Sequence, residues 1–158
     1  MYAETERAGL CEFLDMQREA LIGKVEGLSD VDARRTATVS SLSLLSLVKH
    51  SAIWERRWFQ VIAAGRKFHD EWPEVHPHDE NAFLLTDDDT VDSVVAYYRE
   101  QIAASQEIVA SLDLDAPCAR PDMAHQNVRW VALHMIEETA RHAGHADIIR
   151  ETIDGRRG

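Results

Sequence analysis

The stretch that decides the fold is residues 129–154, which read RWVALHMIEETARHAGHADIIRETID. Its apolar side chains recur at three- and four-residue steps, a pattern that predicts one long amphipathic helix. Successive residues of an α-helix are rotated by about 100°, so one narrow sector collects both apolar and polar side chains. Its members are Val131, His134, Met135, Glu138, His142, His145 and Ile149. Burying imidazoles and a carboxylate is costly unless partners satisfy them, and one divalent metal ion would satisfy several at once.

The first half of the sequence predicts two more long helices. The first spans residues 4–26, where apolar residues follow helical spacing, and Gly27 is suited to end it. Ser29 is predicted to be the N-cap of one short helical turn. The second long helix is predicted over residues 41–65. One side of this helix is mostly apolar and the other is polar and charged, which predicts that the first faces the core and the second faces solvent. The inward side carries Leu44, Leu47, Ser51, Trp54, Trp58 and Val61, with His50 beside it, and the opposite side carries Lys49, Glu55, Arg56 and Gln60.

A third long helix is predicted to begin after the N-cap residue Thr90 and to end before Pro117, which cannot continue it. Asn127 is suited to cap the last helix, and Gly155 lies just past its end. Four long amphipathic helices without strands predict an all-α four-helix bundle, folded as a single domain over residues 1–158. The short first link favours an antiparallel first pair, and the long second link permits a crossover.

That second link, residues 66–89, breaks the helical pattern. It contains two prolines, three histidines and eight acidic residues, with a few aromatic residues between them. Long loops of this kind are often lids or binding loops, and the alternative is a solvated acidic crossover anchored by its aromatic side chains. His76 and His78 resemble a metal-binding tract, but the proline between them favours a weak, exposed site.

Composition excludes several classes of function. The formal net charge of −11 argues against a nucleic-acid footprint and against binding to anionic membranes. No apolar run reaches the roughly 18 residues that a membrane span needs, and residues 1–13 lack the layout of a signal peptide. Cys11 and Cys118 form no CxxC pair, so we expect free thiols in a reducing, cytoplasmic setting.

The residues themselves suggest a metal site. Glu138 and His142 lie four apart on one helical face, and His50 lies on the inward side of the second helix. Two nitrogens and one carboxylate oxygen suit zinc with one position left open, and nickel or ferrous iron would accept the same set. A set made of His134, Glu138 and His142 alone would put its outer pair about 12 Å apart along the axis, so another helix must contribute. The alternatives are a hydrogen-bonded core histidine at position 50 and a structural ion pair of Glu138 with Arg141 or Arg57.

Two segments resemble the DinB superfamily, in particular an actinobacterial subfamily of small proteins. They are SLLSLVKHSAIWERRWF at residues 43–59 and RWVALHMIEETARHAGHADIIRETIDG at residues 129–155. The resemblance implies a four-helix bundle in down-up-up-down order, with a metal held by one residue of the second helix and two of the fourth. Many members use three histidines. Glu138 departs from that pattern and is similar to the His, Glu, His set of mycothiol-dependent maleylpyruvate isomerase, which implies His50, Glu138 and His142 as ligands.

The resemblance also implies an activity. We expect a metal-dependent, most simply zinc-dependent, transferase or isomerase that uses a low-molecular-weight thiol such as mycothiol on a small electrophilic substrate. The alternatives are a metal-dependent hydrolase, with water in the open position, and a non-catalytic, metal-stabilised binding or stress-associated module. The resemblance further implies a possible homodimer and no contact with DNA.

Three neighbours of the expected site are candidates for secondary roles. Trp54 either lines the cavity wall or contacts substrate, and Arg57 meets either a substrate carboxylate or an acid of the loop. His145 lies one turn beyond His142, where it is either a proton shuttle or a hydrogen-bonded wall residue.

Overall fold

The computed structural model describes residues 4–67 and 83–157, and it contains helices without any strand in those two ranges. The long helices are α1 (Glu6–Ile22), α3 (Leu44–Glu55), α4 (Val91–Ser111) and α5 (Val128–Asp154). Shorter elements are α2 (Asp30–Ala33), a π-helical continuation of α3 (Arg56–Ala63, the π segment) and a 3₁₀ turn (Pro121–Met123). None of the helices in these ranges combines the length and apolarity needed to cross a bilayer.

Side-chain caps fix where the helices begin. The side chains of Ser29, Thr90 and Asn127 each accept a bond from a backbone N–H of the first helical turn, as the sequence predicted. Ser43 caps α3 and forms a reciprocal capping box, so this helix begins at Leu44 rather than near residue 41.

The first helix is shorter than predicted. It ends at Ile22 instead of running to residue 26, and a chain of turns continues to Gly27, whose φ is +74°. Gly155 likewise has a left-handed φ of +74° and ends α5.

Contacts at both ends show that α1 and α5 run parallel. Arg129, at the start of α5, pairs with Glu6 at the start of α1, with 2.6 Å between Nε and Oε1. Toward the other end, Lys24 pairs with Asp147 at 2.5 Å. Since corresponding ends of the two helices lie side by side, α1 and α5 run in the same direction.

The helices α3 and α4 are also parallel to each other. Lys49 on α3 pairs with Asp89, just before α4, at 2.7 Å. Farther along, the amide of Gln60 donates to the side-chain oxygen of Gln101 at 2.8 Å. A crossover through residues 66–89 therefore joins two helices of the same direction.

Contacts between α1 and α4 complete the topology. Arg99 pairs with Glu19 at 2.9 Å, and the amide of Gln106 donates to the carboxylate of Asp15, which precedes Glu19 in α1. Since the residue order is reversed between these two helices, α1 is antiparallel to α4 and hence to α3. The order is down-up-up-down, so the predicted bundle is confirmed.

The side of α3 that was predicted to face solvent is partly buried, and that prediction was wrong. Glu55 is 0% exposed and Gln60 is 4% exposed. Glu55 accepts two hydrogen bonds from the guanidinium of Arg18 on α1, one of them from Nε at 3.3 Å. The reason is that α3 packs against several other helices of the bundle, so a wider sector than one apolar stripe lies inside.

The π segment is wound more widely than the α-helix α3 that it continues. The N–H of Ala64 donates to the carbonyl of Phe59, five residues back rather than four. Gly65 ends the segment with φ of +68°, and a Cβ there would lie 2.9 Å from the Cβ of Ala119. The link after α4 is therefore held tightly against the end of the segment Arg56–Ala63.

Candidate functional site

Two imidazoles from distant parts of the chain meet between α3 and α5. The ring centroids of His50 and His142 lie 4.9 Å apart, with the rings nearly perpendicular at 82°. His50 is 5% exposed and His142 is 9% exposed. The structure therefore brings together the two histidines that the sequence singled out.

Glu138 lies half-buried beside this pair. Its Oε2 is 3.7 Å from Nε2 of His142, which is too long for a hydrogen bond. Its Oε1 accepts a hydrogen bond from Nη1 of Arg141 at 2.6 Å. The ion pair with Arg141 that the sequence offered as an alternative is therefore present, and it leaves the second carboxylate oxygen directed near His142.

The nitrogens of the histidine pair lack partners. Nδ1 of His50 and both ring nitrogens of His142 are buried without a hydrogen bond. Burial lowers the pKa of His50 to about 3, helped by the neighbouring His142. Burial also lowers the pKa of His142 to about 4, helped by His145 and Arg141. Both imidazoles are therefore neutral at pH 7, and a neutral imidazole nitrogen is the form that binds a metal ion.

The spacing of these groups can be compared with that of a zinc site. Two imidazoles bound to one tetrahedral zinc ion at about 2.0–2.1 Å have ring centroids roughly 5 Å apart, and two such ligand atoms lie about 3.4 Å apart. The His50–His142 centroid distance of 4.9 Å and the Glu138–His142 atom distance of 3.7 Å are close to these values. Within residues 4–67 and 83–157, however, no three His, Cys, Asp or Glu side chains are gathered closely enough to form a complete site. The donor types and the two pairs fit a divalent metal, and a complete set requires a side-chain rearrangement.

Aromatic rings enclose the histidine pair. The ring of Phe83 stacks on His50, with 3.9 Å between centroids and 7° between planes. Trp54 covers another part of the same imidazole at 4.4 Å. The sequence predicted that aromatic residues of the loop could anchor it to the bundle, but it did not assign Phe83 to the site. His76 and His78 lie outside the described residues.

The remaining candidates lie around this enclosure. Arg57 is buried, and its Cζ lies 5.5 Å from the centroid of the half-buried Trp54 ring. His145 is exposed, and its ring centroid is 6.1 Å from that of His142. Arg57 and Trp54 are therefore part of the wall near His50, whereas His145 lies on the outer side of α5.

A second aromatic cluster, which the sequence reasoning missed, lies farther along the same two helices. His134 stacks on Trp130 with 5.0 Å between centroids, and Trp58 meets His134 edge-on at 4.3 Å. The indole nitrogen of Trp58 and Nε2 of His134 are buried without partners. The signal available in the sequence was spacing, because Trp58 and His134 each lie four residues from another member of the site on the same helix.

Comparison with known proteins agrees with this architecture. No curated protein matches the chain. A solved structure from Enterococcus faecalis, described as a conserved protein, superposes with a TM-score of 0.69 over 98% of this chain and 100% of that one. At 13% identity this likeness concerns the fold alone. The family model for mycothiol S-transferases, a DinB-like family, matches residues 9–155. The chain therefore belongs to the mycothiol S-transferase family.

Proposed function

We propose that this protein is a metal-dependent transferase that joins the sulfur of mycothiol to a small electrophile. One observation carries the proposal: buried, neutral imidazoles of His50 and His142 face each other with unpartnered nitrogens, in a chain of the mycothiol S-transferase family. Leaving such groups unsatisfied costs about 1–3 kcal/mol each, so a bound ligand is the simplest account of them.

In this proposal His50, Glu138 and His142 hold a divalent metal ion, for which zinc is the first choice and nickel or iron are alternatives. When bound, the metal supplies a Lewis-acidic centre that lowers the pKa of a thiol. Arg141 donates to Oε1 of Glu138, and Oε2, which is 3.7 Å from Nε2 of His142, is the oxygen that would bind the metal. The burial of the two imidazoles keeps them largely out of contact with solvent.

The electrophile is proposed to bind on the Trp54 side of the pair. Arg57 is a buried cation near this wall and suits a substrate with an anionic group. Phe83, whose ring stacks on His50, would form another part of the wall of this site. In the reaction the thiol loses its proton to solvent and its sulfur forms a bond to the electrophilic carbon. The bond to the leaving group breaks, and that group departs with the electron pair.

The experiment compares wild type with His142→Ala and with His145→Ala, a matched control three residues away whose side chain is exposed. Each protein is analysed for bound metal and for the consumption of mycothiol with a panel of electrophiles. We expect wild type and His145→Ala to retain metal and thiol transfer, and His142→Ala to lose both.

Other outcomes favour the alternatives. Equal metal in all three proteins would contradict the assigned ligands. Turnover without thiol would indicate a metal-dependent hydrolase. Tight metal binding with no turnover on any substrate would indicate a metal-stabilised, non-catalytic module.

We also propose that the protein is a cytoplasmic homodimer. Cys11 and Cys118 are free thiols, which agrees with a reducing compartment that holds mycothiol in its thiol form. Support for a dimer comes from large apolar side chains on the outward sides of the neighbouring helices α1 and α5. They are Phe13 (60% exposed), Met16 (58%), Leu133 (51%) and Ile148 (62%).

Sedimentation at several protein concentrations tests the dimer. We expect the double variant Phe13→Glu and Leu133→Glu to sediment as a monomer, because two charges would be buried in the interface. Val31→Glu changes an exposed apolar residue of α2, outside this face, and should leave the dimer intact. A monomeric wild type would contradict the proposal.

A further inference from the structure

Facing side chains of α3 and α5 form a ladder that leads away from the histidine pair. On α3 and the π segment, the members are His50, Trp54 and Trp58, at four-residue steps. On α5 they are His142, Glu138 and His134, also at four-residue steps and in the opposite direction. The first rung is the His50–His142 pair, and the last rung is the Trp58–His134 contact at 4.3 Å.

The last rung has the chemistry of a recognition site. The indole N–H of Trp58 is a donor only, whereas Nε2 of a neutral His134 donates or accepts according to its tautomer. Both atoms are buried and have no partner, and the two rings are in contact. A hydroxyl group both accepts and donates, so one hydroxyl can satisfy the two atoms together. Trp130, stacked on His134, adds an apolar ring face of the kind that packs against the C–H face of a sugar.

The distance between the rungs defines the size of the ligand. His134 and His142 are eight residues apart on α5, a rise of about 12 Å along the helix axis. A small thiol such as N-acetylcysteine does not span this distance. A thiol that carries linked polyhydroxylated rings, as mycothiol does, is long enough for its sulfur and its far ring to occupy opposite ends of the ladder.

We propose that Trp58 and His134 form a subsite that binds a ring hydroxyl of the thiol cosubstrate. The subsite would make the protein selective for a sugar-bearing thiol over a simple one. This inference rests on the proposed function, because it takes the sulfur to lie at the His50–His142 end.

The test measures the dissociation constants of mycothiol and N-acetylcysteine by calorimetry with zinc-loaded protein. Trp58→Phe removes the indole N–H and keeps an aromatic ring, and His134→Phe removes the imidazole nitrogens. We expect each variant to weaken mycothiol binding about three- to tenfold, the loss of one hydrogen bond, and to leave N-acetylcysteine binding and zinc content unchanged. His125→Phe is the matched control, because His125 is exposed and lies before α5, outside the ladder.

A second measurement separates the subsite from the proposed function. The thiol-free ring portion of mycothiol, glucosaminyl-inositol, is titrated while the indole N–H resonance of Trp58 is followed by NMR. A shift of that resonance supports the subsite even if neither thiol binds at the metal end, an outcome that would overturn the proposed function alone. The inference is overturned if the resonance does not move. It is also overturned if wild type binds both thiols and the variants weaken the binding of both equally or of neither.

Discussion

Two of the buried polar pairs in the described part of the bundle differ in one respect. Arg18 and Glu55 lie deep between α1 and α3, and both oxygens of the carboxylate accept hydrogen bonds from the guanidinium. His50 and His142 lie between α3 and α5, and three of their ring nitrogens have no partner. A buried group that is satisfied within the chain contributes to the fold, whereas one that is left unsatisfied indicates a ligand from outside.

The largest expected effect comes from breaking the satisfied pair. Glu55→Ala leaves the charge of Arg18 buried without its main partner, and we expect a loss of about 3–5 kcal/mol in the free energy of unfolding. Urea denaturation measures this loss. The exposed pair of Glu19 with Arg99 provides the control, because Glu19→Ala should cost less than about 1 kcal/mol.

A small effect of Glu55→Ala would remove the contrast between the two pairs. The double variant Arg18→Met and Glu55→Leu checks the interpretation from the other direction. It replaces both charges with apolar groups and should recover much of the stability that Glu55→Ala loses.

Bound metal should stabilise the folded protein through the unsatisfied His50–His142 pair. It should not change the contribution of the satisfied Arg18–Glu55 pair. At a free zinc concentration one hundred times the dissociation constant, the free energy of unfolding should rise by about 2.7 kcal/mol. Thermal unfolding with zinc and with a chelator measures this gain. We expect Glu19→Ala to show the full gain and His50→Ala to show none, and an equal gain in both would contradict the assignment of His50.

The pH dependence of the metal-free protein gives the most specific effect. His50 and His142 have pKa values of about 3 and about 4 in the folded protein, below the value of about 6.5 for an unfolded histidine. Between pH 6.5 and 4 the unfolded chain therefore binds more protons, and stability falls as the pH falls. Each imidazole contributes at most about 1.4 kcal/mol per pH unit.

The measurement compares wild type with His142→Gln, since carboxylates titrate in both proteins and cancel in the difference. We expect the variant to lose less stability than wild type between pH 6.5 and 4.5. Parallel curves for the two proteins would mean that His142 is already charged or exposed in the folded state.

The sequence was sufficient for the architecture, and it singled out two histidines that the fold brings close together. Helical periodicity and the caps at Ser29, Thr90 and Asn127 located the helices, and the family resemblance supplied the down-up-up-down order. The prediction that His50 approaches the last helix agrees with its contact to His142. The complete three-residue metal set stays a prediction.

The errors have a common physical origin. Periodicity assigns one apolar face to a helix, so it placed Glu55 on the solvent side, although neighbouring helices cover that side too. Arg18, the partner that makes the burial of Glu55 tolerable, lies thirty-seven residues away in sequence. No local sequence pattern indicates that the two residues meet. Phe83 is similar, because one aromatic residue in an acidic loop gives no indication of the ring on which it stacks.

The π segment contains Trp58, at one end of the ladder, whereas His50, at the other end, lies in α3. Winding Arg56–Ala63 as an ordinary α-helix, with hydrogen bonds four rather than five residues back, would rotate the indole of Trp58 relative to His50. His50 and His142 lie in α3 and α5, outside this segment, and would keep their arrangement. In the proposed subsite, backbone winding as well as side-chain identity would therefore set how far the protein discriminates among thiols, and the place proposed for the sulfur would be unaffected.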